Sequence, residues 1–152
     1  MRLVPEMTYT ETISGPWGPT AGSPHGARLC WQVATARLTG PRIEASLAVP
    51  GHDWMRLGPD GIRRPDLRVT LETDDGAIIL FSYDVGVIRE NQTFLTALQE
   101  SRATTFADQY MRIAPRFDTG DDRYSWLTSH LFLGEGRLAG DQQIEYQIHR
   151  VD

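Results

Sequence analysis

Gly51-His52-Asp53-Trp54 sets a carboxylate between a histidine and a tryptophan, directly after a proline. In an extended strand, residues 52 and 54 point one way and Asp53 the other. A carboxylate turned into an aromatic-lined cavity is desolvated. Its pKa then rises toward neutrality, and it becomes a usable acid or base. The structural alternative has Asp53 capping a turn and Trp54 filling core. Arg112 and Arg116 share a face of a second extended run with Tyr110. Two guanidiniums on one face can clamp a carboxylate or stabilise an enolate, because each fork pairs two oxygens at once. The alternative is a solvated outer face, with the arginines among charges of a neighbouring strand such as Asp66, Arg68 and Glu72. Tyr83 follows Ala77, Ile79 and Phe81 on an apolar face, so its hydroxyl needs a buried partner. Together these residues make a proton-transfer set. Asp53 is the expected base with Glu72 as second choice, Arg112 steadies oxyanion charge, and Tyr83 donates a hydrogen bond. Trp31, Trp54, Tyr124 and Trp126, with His52 and Arg116, are the expected lining for a planar substrate.

Other chemistries have less to stand on. Asp118, Asp121 and Asp122 flank Thr119-Gly120, but the far-end ligand of an EF-hand calcium loop is missing, and a turn with Asx-type bonding is expected. His25, His52, His130 and His149 are scattered with no pair at metal spacing, so neither a metal nor a cofactor is expected. A Gly-x-Ser-x-Gly elbow, a phosphate loop and a dinucleotide fingerprint are all missing, which argues against serine hydrolases, kinases and Rossmann-type redox enzymes. The single cysteine, Cys30, reads as a small buried hydrophobe suited to a reducing cytoplasm. A net charge of −5 argues against a nucleic-acid partner. No long apolar run or leader-like segment is present, so the expectation is a cytoplasmic protein with no membrane contact.

The elements that must hold these residues are strands. Length and a hydrophobic content of 40% fit one globular domain over residues 1–152. Leu3 to Ile13 reads as an entry strand through Val4, Met7, Tyr9 and Thr12. Ser14 to Gly26 reads as a Gly/Pro loop whose Trp17 folds back as a plug on the core. Alternation then runs through Leu29–Ala36 and Ile43–Val49, turns at Pro50-Gly51, and resumes in a short strand at His52–Met55. Asp66 to Thr73 alternates most cleanly, and Asp74-Asp75-Gly76 is a hairpin turn before Ala77–Val85. One short helix is expected after a cap at Asn91, with Phe94, Leu95 and Leu98 at helical spacing. Strands at 109–117, from Asp122 through Phe132, and at 143–151 follow. About eight or nine strands and one helix predict an all-β, closed antiparallel barrel of about eight strands, roomy enough for one small ligand.

Five fragments carry a family likeness: GHDW at 51–54, LGPDG at 57–61, LETDDGAII at 71–79, RIAPRFDTGDDRYSWL at 112–127 and FLGEG at 132–136. Across roughly Thr39 to Val151 the chain resembles the DUF3237 (UPF0311) family. His52 stands where that family more usually has a small residue, and Phe81–Val85 lacks its usual Arg-Gly ending. The resemblance implies a calycin-like β-barrel, association as a homodimer and, by the company its members keep, small-molecule chemistry in aromatic or secondary metabolism. Residues and resemblance together predict a cofactor-independent isomerase, cyclase or lyase acting by proton transfer on an oxygenated cyclic or aromatic-derived metabolite. The alternative is a noncatalytic barrel that binds a hydrophobic metabolite, and it predicts an interior without a carboxylate.

Overall fold

Period-two alternation is what the backbone follows most faithfully. In the computed structural model, which describes residues 1–152, the strands in chain order are β1 (Leu3–Trp17), β2 (Ala27–Gly40), β3 (Ile43–Leu57), β4 (Arg63–Arg64), β5 (Leu67–Thr73) and β6 (Ile78–Tyr83). They continue as β7 (Gly86–Arg89), β8 (Tyr110–Ile113), β9 (Arg116–Asp118), β10 (Leu131–Gly140) and β11 (Gln143–Val151). Helix α1 (Gln92–Gln99) follows β7, and a 3-10 helix, Asp122–Leu127, precedes β10. No helix is long and apolar enough to cross a membrane.

Eight strands close into an antiparallel barrel in the order β2-β1-β11-β10-β8-β7-β4-β3, and β3 pairs back onto β2. The wall forks at β3. Ala45 to Asp53 pair with β5, whereas Arg56 and Leu57 pair with β4. On the facing side β8 pairs with β7, and β9, which resumes after Ala114-Pro115, pairs with β6. The gap between β3 and the β8–β9 strand is therefore filled twice, by β4–β7 at one end and β5–β6 at the other. The β5–β6 end holds an aromatic cluster in which Phe81 lies 4.6 Å from Tyr9 and 5.0 Å from Phe117, and Phe117 lies 5.1 Å from Phe132. Each such buried side chain contributes about 1.5–3 kcal/mol of transfer free energy.

Four sequence expectations need correction here. Pro50-Gly51 is not a turn, because β3 runs through it as one strand with bulged register against β5 between Leu47 and His52. A bulge lets proline sit where it owes the ladder no donor. Gly51 is needed because a Cβ there would run into the Val69 side chain and the Arg68 carbonyl. Gly51→Ala is expected to destabilise the protein by about 1–3 kcal/mol, read as a lowered urea midpoint at unchanged slope. Second, β1 extends through Trp17, which is exposed rather than plugging the core. Third, residues 122–127 form the 3-10 helix, started by the Asp121 side chain accepting from Arg123 N–H, not the beginning of a strand. Fourth, the expected strand at 109–117 is split at Ala114-Pro115, since proline has no N–H to donate. The helix is as expected at its start: Asn91 Oδ1 accepts from Phe94 N–H at 2.9 Å. It buries Phe94 and Ala97 and leaves Leu95 and Leu98 exposed.

Candidate functional site

A bulge in β1 decides which acid enters the barrel. Register against β11 shifts between Pro5 and Met7, and after it the odd residues Met7, Tyr9 and Glu11 all point inward. Glu11 is 4% exposed, and the Tyr9 hydroxyl donates to its Oε2 at 2.8 Å. Asp53 is buried on β3, with Trp31 of β2 as its cross-strand partner. At the fork, Asp66 N–H donates to Asp53 Oδ1 at 2.8 Å, and Trp54 N–H donates to the Asp66 carbonyl. Tyr83, last in β6, packs 5.7 Å from the ring of Tyr146 on β11. Tyr146 lies opposite Gly136 of β10, where a Cβ would collide with its ring. Five polar side chains, Tyr9, Glu11, Asp53, Tyr83 and Tyr146, are thus buried inside the barrel.

Burial dominates their electrostatics. Desolvation pushes the Glu11 carboxyl up to about 8, with the Asp53 charge adding to the rise and hydrogen bonds from Tyr9 and Tyr83 opposing it. Desolvation also pushes Asp53 up to about 6, against the hydrogen bond from Asp66 N–H. Burial first, and the nearby Glu11 second, hold the phenols of Tyr9, Tyr83 and Tyr146 well above their ordinary range. At neutral pH Glu11 is mostly a carboxylic acid and Asp53 mostly a carboxylate. Such a split between neighbouring carboxyls assigns an acid and a base.

Both carboxyls border a cavity of about 70 Å³ at the β4–β7 end. Trp31, Met55, Ile88 and Met111 line it, and Phe94 and Leu98 of α1 stand with Gln142 and Gln143 at its rim. A pocket that encloses a whole drug-sized ligand takes roughly 300–1,000 Å³, so this one can enclose only part of such a molecule. Arg63 and Glu90 also border it. Arg63 Nε is 2.5 Å from Glu90 Oε1, in an ion pair too poorly aligned to count as a hydrogen bond. The Trp31 indole Nε1 is buried with no protein partner.

The residues expected from the sequence divide cleanly. Asp53, Tyr83 and Trp31 belong to this interior. Arg112 does not: it points outward from β8, pairs with Glu135 at 3.2 Å and lies over the Tyr110 ring. Arg116 is exposed and paired with Asp84 at 3.0 Å. Glu72 lies on the outer face of β5, and His52 and Trp54 on the outer face of β3. Each of these follows from strand parity, with Gly51, Asp53 and Met55 of β3 and the odd residues of β5, β8 and β9 facing in. Tyr124 donates to Asp75 at 2.9 Å beside the hairpin turn, and Trp126 carries the Arg42 guanidinium 3.7 Å above its ring, both apart from the cavity. Arg112→Gln is accordingly expected to change stability by less than about 1 kcal/mol in denaturant titrations. Glu11, Tyr9, Tyr146, Arg63 and Glu90 were not singled out in the sequence. The legible signal for Glu11 was its place on the odd face of Met7 and Tyr9.

The comparisons with known proteins agree with this architecture. A UPF0311 protein of Rhodopseudomonas palustris is 26% identical over 149 residues, 96% of either chain. The crystal structure of a conserved R. palustris protein of unknown function superposes with a TM-score of 0.85 at 24% identity, covering 99% of this chain and 97% of that one. A β-barrel-like protein of Acinetobacter baumannii gives 0.80 at 23% identity, covering 99% and 96%. A structure described as an enzyme from Penicillium herquei gives 0.66 at 18% identity, covering 99% and 94%. At these identities the structural likeness bears on the fold alone. The family model described as a protein of unknown function, DUF3237, matches residues 1–151, a longer span than the five fragments, and the chain belongs to that family.

Proposed function

We propose that this protein is a cofactor-independent enzyme that moves protons on an oxygenated cyclic or aromatic-derived small molecule, in an isomerisation, cyclisation or dehydration. The observation that carries the reading is the pair of buried carboxyls, Glu11 and Asp53, bordering one cavity with their pKa values pushed apart. Asp53 is the base. Its Oδ1 is fixed by Asp66 N–H, which leaves Oδ2 for a substrate proton. Glu11, kept neutral, is the acid, with the Tyr9 hydroxyl orienting one of its oxygens. The roles expected of Arg112 and Glu72 pass to interior groups, because a charge on the outer wall cannot reach the reacting atoms. A barrel that only shields a hydrophobic metabolite has no use for two desolvated carboxyls, which oppose folding at neutral pH.

The test is deuterium incorporation from heavy water into 2-cyclohexenone, 1,3-cyclohexanedione and 2-tetralone, followed by NMR. Exchange above the buffer rate is expected at carbons next to, or conjugated with, the carbonyl. Its pH profile should be bell-shaped, rising near 6 as Asp53 ionises and falling near 8 as Glu11 loses its proton. Exchange at the buffer rate with all three compounds would remove the proposal.

A further inference from the structure

We propose that the indole N–H of Trp31 is the donor that holds the substrate's oxygen, so that the site selects molecules presenting a carbonyl or enolate oxygen beside an acidic C–H bond. This inference rests on the proton-transfer reading of the same cavity. Trp31 stands directly across the β2–β3 ladder from Asp53, and both line the cavity. Its Nε1 is buried and has no partner in the protein. Buried indole N–H groups ordinarily find an acceptor, and an unmatched one in a cavity wall asks for an acceptor on a ligand. The nearby carboxyls each meet another donor, Glu11 the Tyr9 hydroxyl, Asp53 the Asp66 N–H and Glu90 the Arg63 guanidinium, and none of them reaches the indole. Ile13, Met55, Ile88 and Met111 in the lining are apolar, and the side chains of Gln142 and Gln143, which also border the cavity, make no hydrogen bond to the indole.

Residues directly opposite on an antiparallel pair have Cβ atoms about 4.5–5.5 Å apart. One small molecule can therefore place an oxygen at Trp31 and the neighbouring C–H at Asp53. Asp53 takes the proton, the C–H electron pair becomes a C=C bond, and the carbonyl π pair moves onto oxygen, where the indole N–H meets it. Glu11 gives its proton to the same or the conjugated carbon, and the proton that Asp53 took returns to Glu11 through solvent, so the sequence closes with no redox partner. A fixed donor at the atom where charge develops acts on the transition state rather than on binding alone. It also rejects a substrate lacking the oxygen, since that would leave the N–H unmatched.

Phenol is a planar mimic of an enolate, and benzene is the same shape without the oxygen. In ¹H–¹⁵N spectra of the intact protein, the indole resonance that disappears in Trp31→Phe is expected to move downfield with millimolar phenol and not with benzene. Trp31→Phe should bind phenol about tenfold more weakly, whereas Trp54→Phe, altered on the outer face, should bind it as the parent does. An unmoved Trp31 resonance, an equal shift with benzene, or undiminished phenol affinity in Trp31→Phe each overturns the inference. The wild-type spectra carry the decision even where Trp31→Phe folds poorly. Binding needs no turnover. Absent deuterium exchange with an intact phenol response therefore removes the catalytic reading alone, and exchange without the indole response removes only the role of Trp31.

Discussion

Asp53→Asn should lower enzyme-dependent deuterium exchange by about 10²–10⁴-fold, the range over which a positioned general base accelerates proton transfer. The amide keeps an oxygen for the 2.8 Å hydrogen bond from Asp66 N–H, so the fork in the wall is still tied together. What is lost is the negative charge and the ability to accept a proton. Stability provides the internal control. Burial raises Asp53 from its ordinary value of 3.8 to about 6, so its ionisation opposes folding. Unfolded chains ionise this residue above about 4 while the folded protein holds its proton until about 6. The wild type therefore loses stability across that window as pH rises, and the asparagine variant does not. At pH 7 the variant should be at least as stable as the parent in urea titrations and nearly inactive. A variant that exchanges deuterium normally would show that Asp53 is a structural acid, and one that unfolds would show that its charge is needed to hold β3 to Asp66.

Glu11→Gln should remove much of the fall in stability with rising pH. Desolvation lifts this carboxyl from an ordinary value of 4.5 to about 8. Below 4.5 both the folded and the unfolded chain carry the proton, and the buried acid is tolerated. Between 4.5 and 8 only the unfolded chain releases it, so unfolding becomes easier by about 1.4 kcal/mol per pH unit. Over the whole window the loss is on the order of 5 kcal/mol, an upper value that is a large share of the stability of an ordinary domain. Glutamine has nearly the same shape, accepts from Tyr9 as glutamate does, and cannot ionise. Unfolding free energies from urea titrations between pH 4 and 9 should converge for the two proteins at the acid end and separate by several kcal/mol at pH 8, with the variant the more stable. Parallel curves would mean that Glu11 is ionised in the folded barrel, which removes it as the acid. The same variant should lose the alkaline limb of the exchange profile, because that limb reports Glu11.

Local chemistry in the chain specified much of this fold. Leu67, Val69 and Leu71 announced β5, the Asp-Gly step announced its hairpin, and Asn91 announced the start of α1. Parity alone sent Asp53 inward and His52 and Trp54 outward once the odd face was inside. What escaped was set by irregularity or by distance along the chain. The bulge after Pro5 changes the inward parity of β1, so an alternation read through Val4 and Thr12 steps over Glu11. A bulge also let β3 pass through Pro50-Gly51, a pair that by composition announces a turn. Arg112 was credited with catalysis because its partner, Glu135, lies on β10 and is adjacent only after the barrel closes. Arg63 and Glu90 meet through a pairing of β4 with β7 that rests on the Arg63–Ile88 register.

That last pairing gives the forked wall a dynamic meaning. At the cavity end the gap is bridged only by β4 and β7, two and four residues long, whereas β5 and β6, of seven and six residues, hold the aromatic end. Short ladders open at low free energy and long buried ones only with the whole fold. Amides around Arg63 and Ile88 should therefore trade hydrogen with solvent far sooner than those of Val69 and Phe81. Breathing at one seam can admit a molecule to Asp53 and Glu11 while the opposite seam keeps the barrel shut, so access to the acids and endurance of the fold are entrusted to different strands.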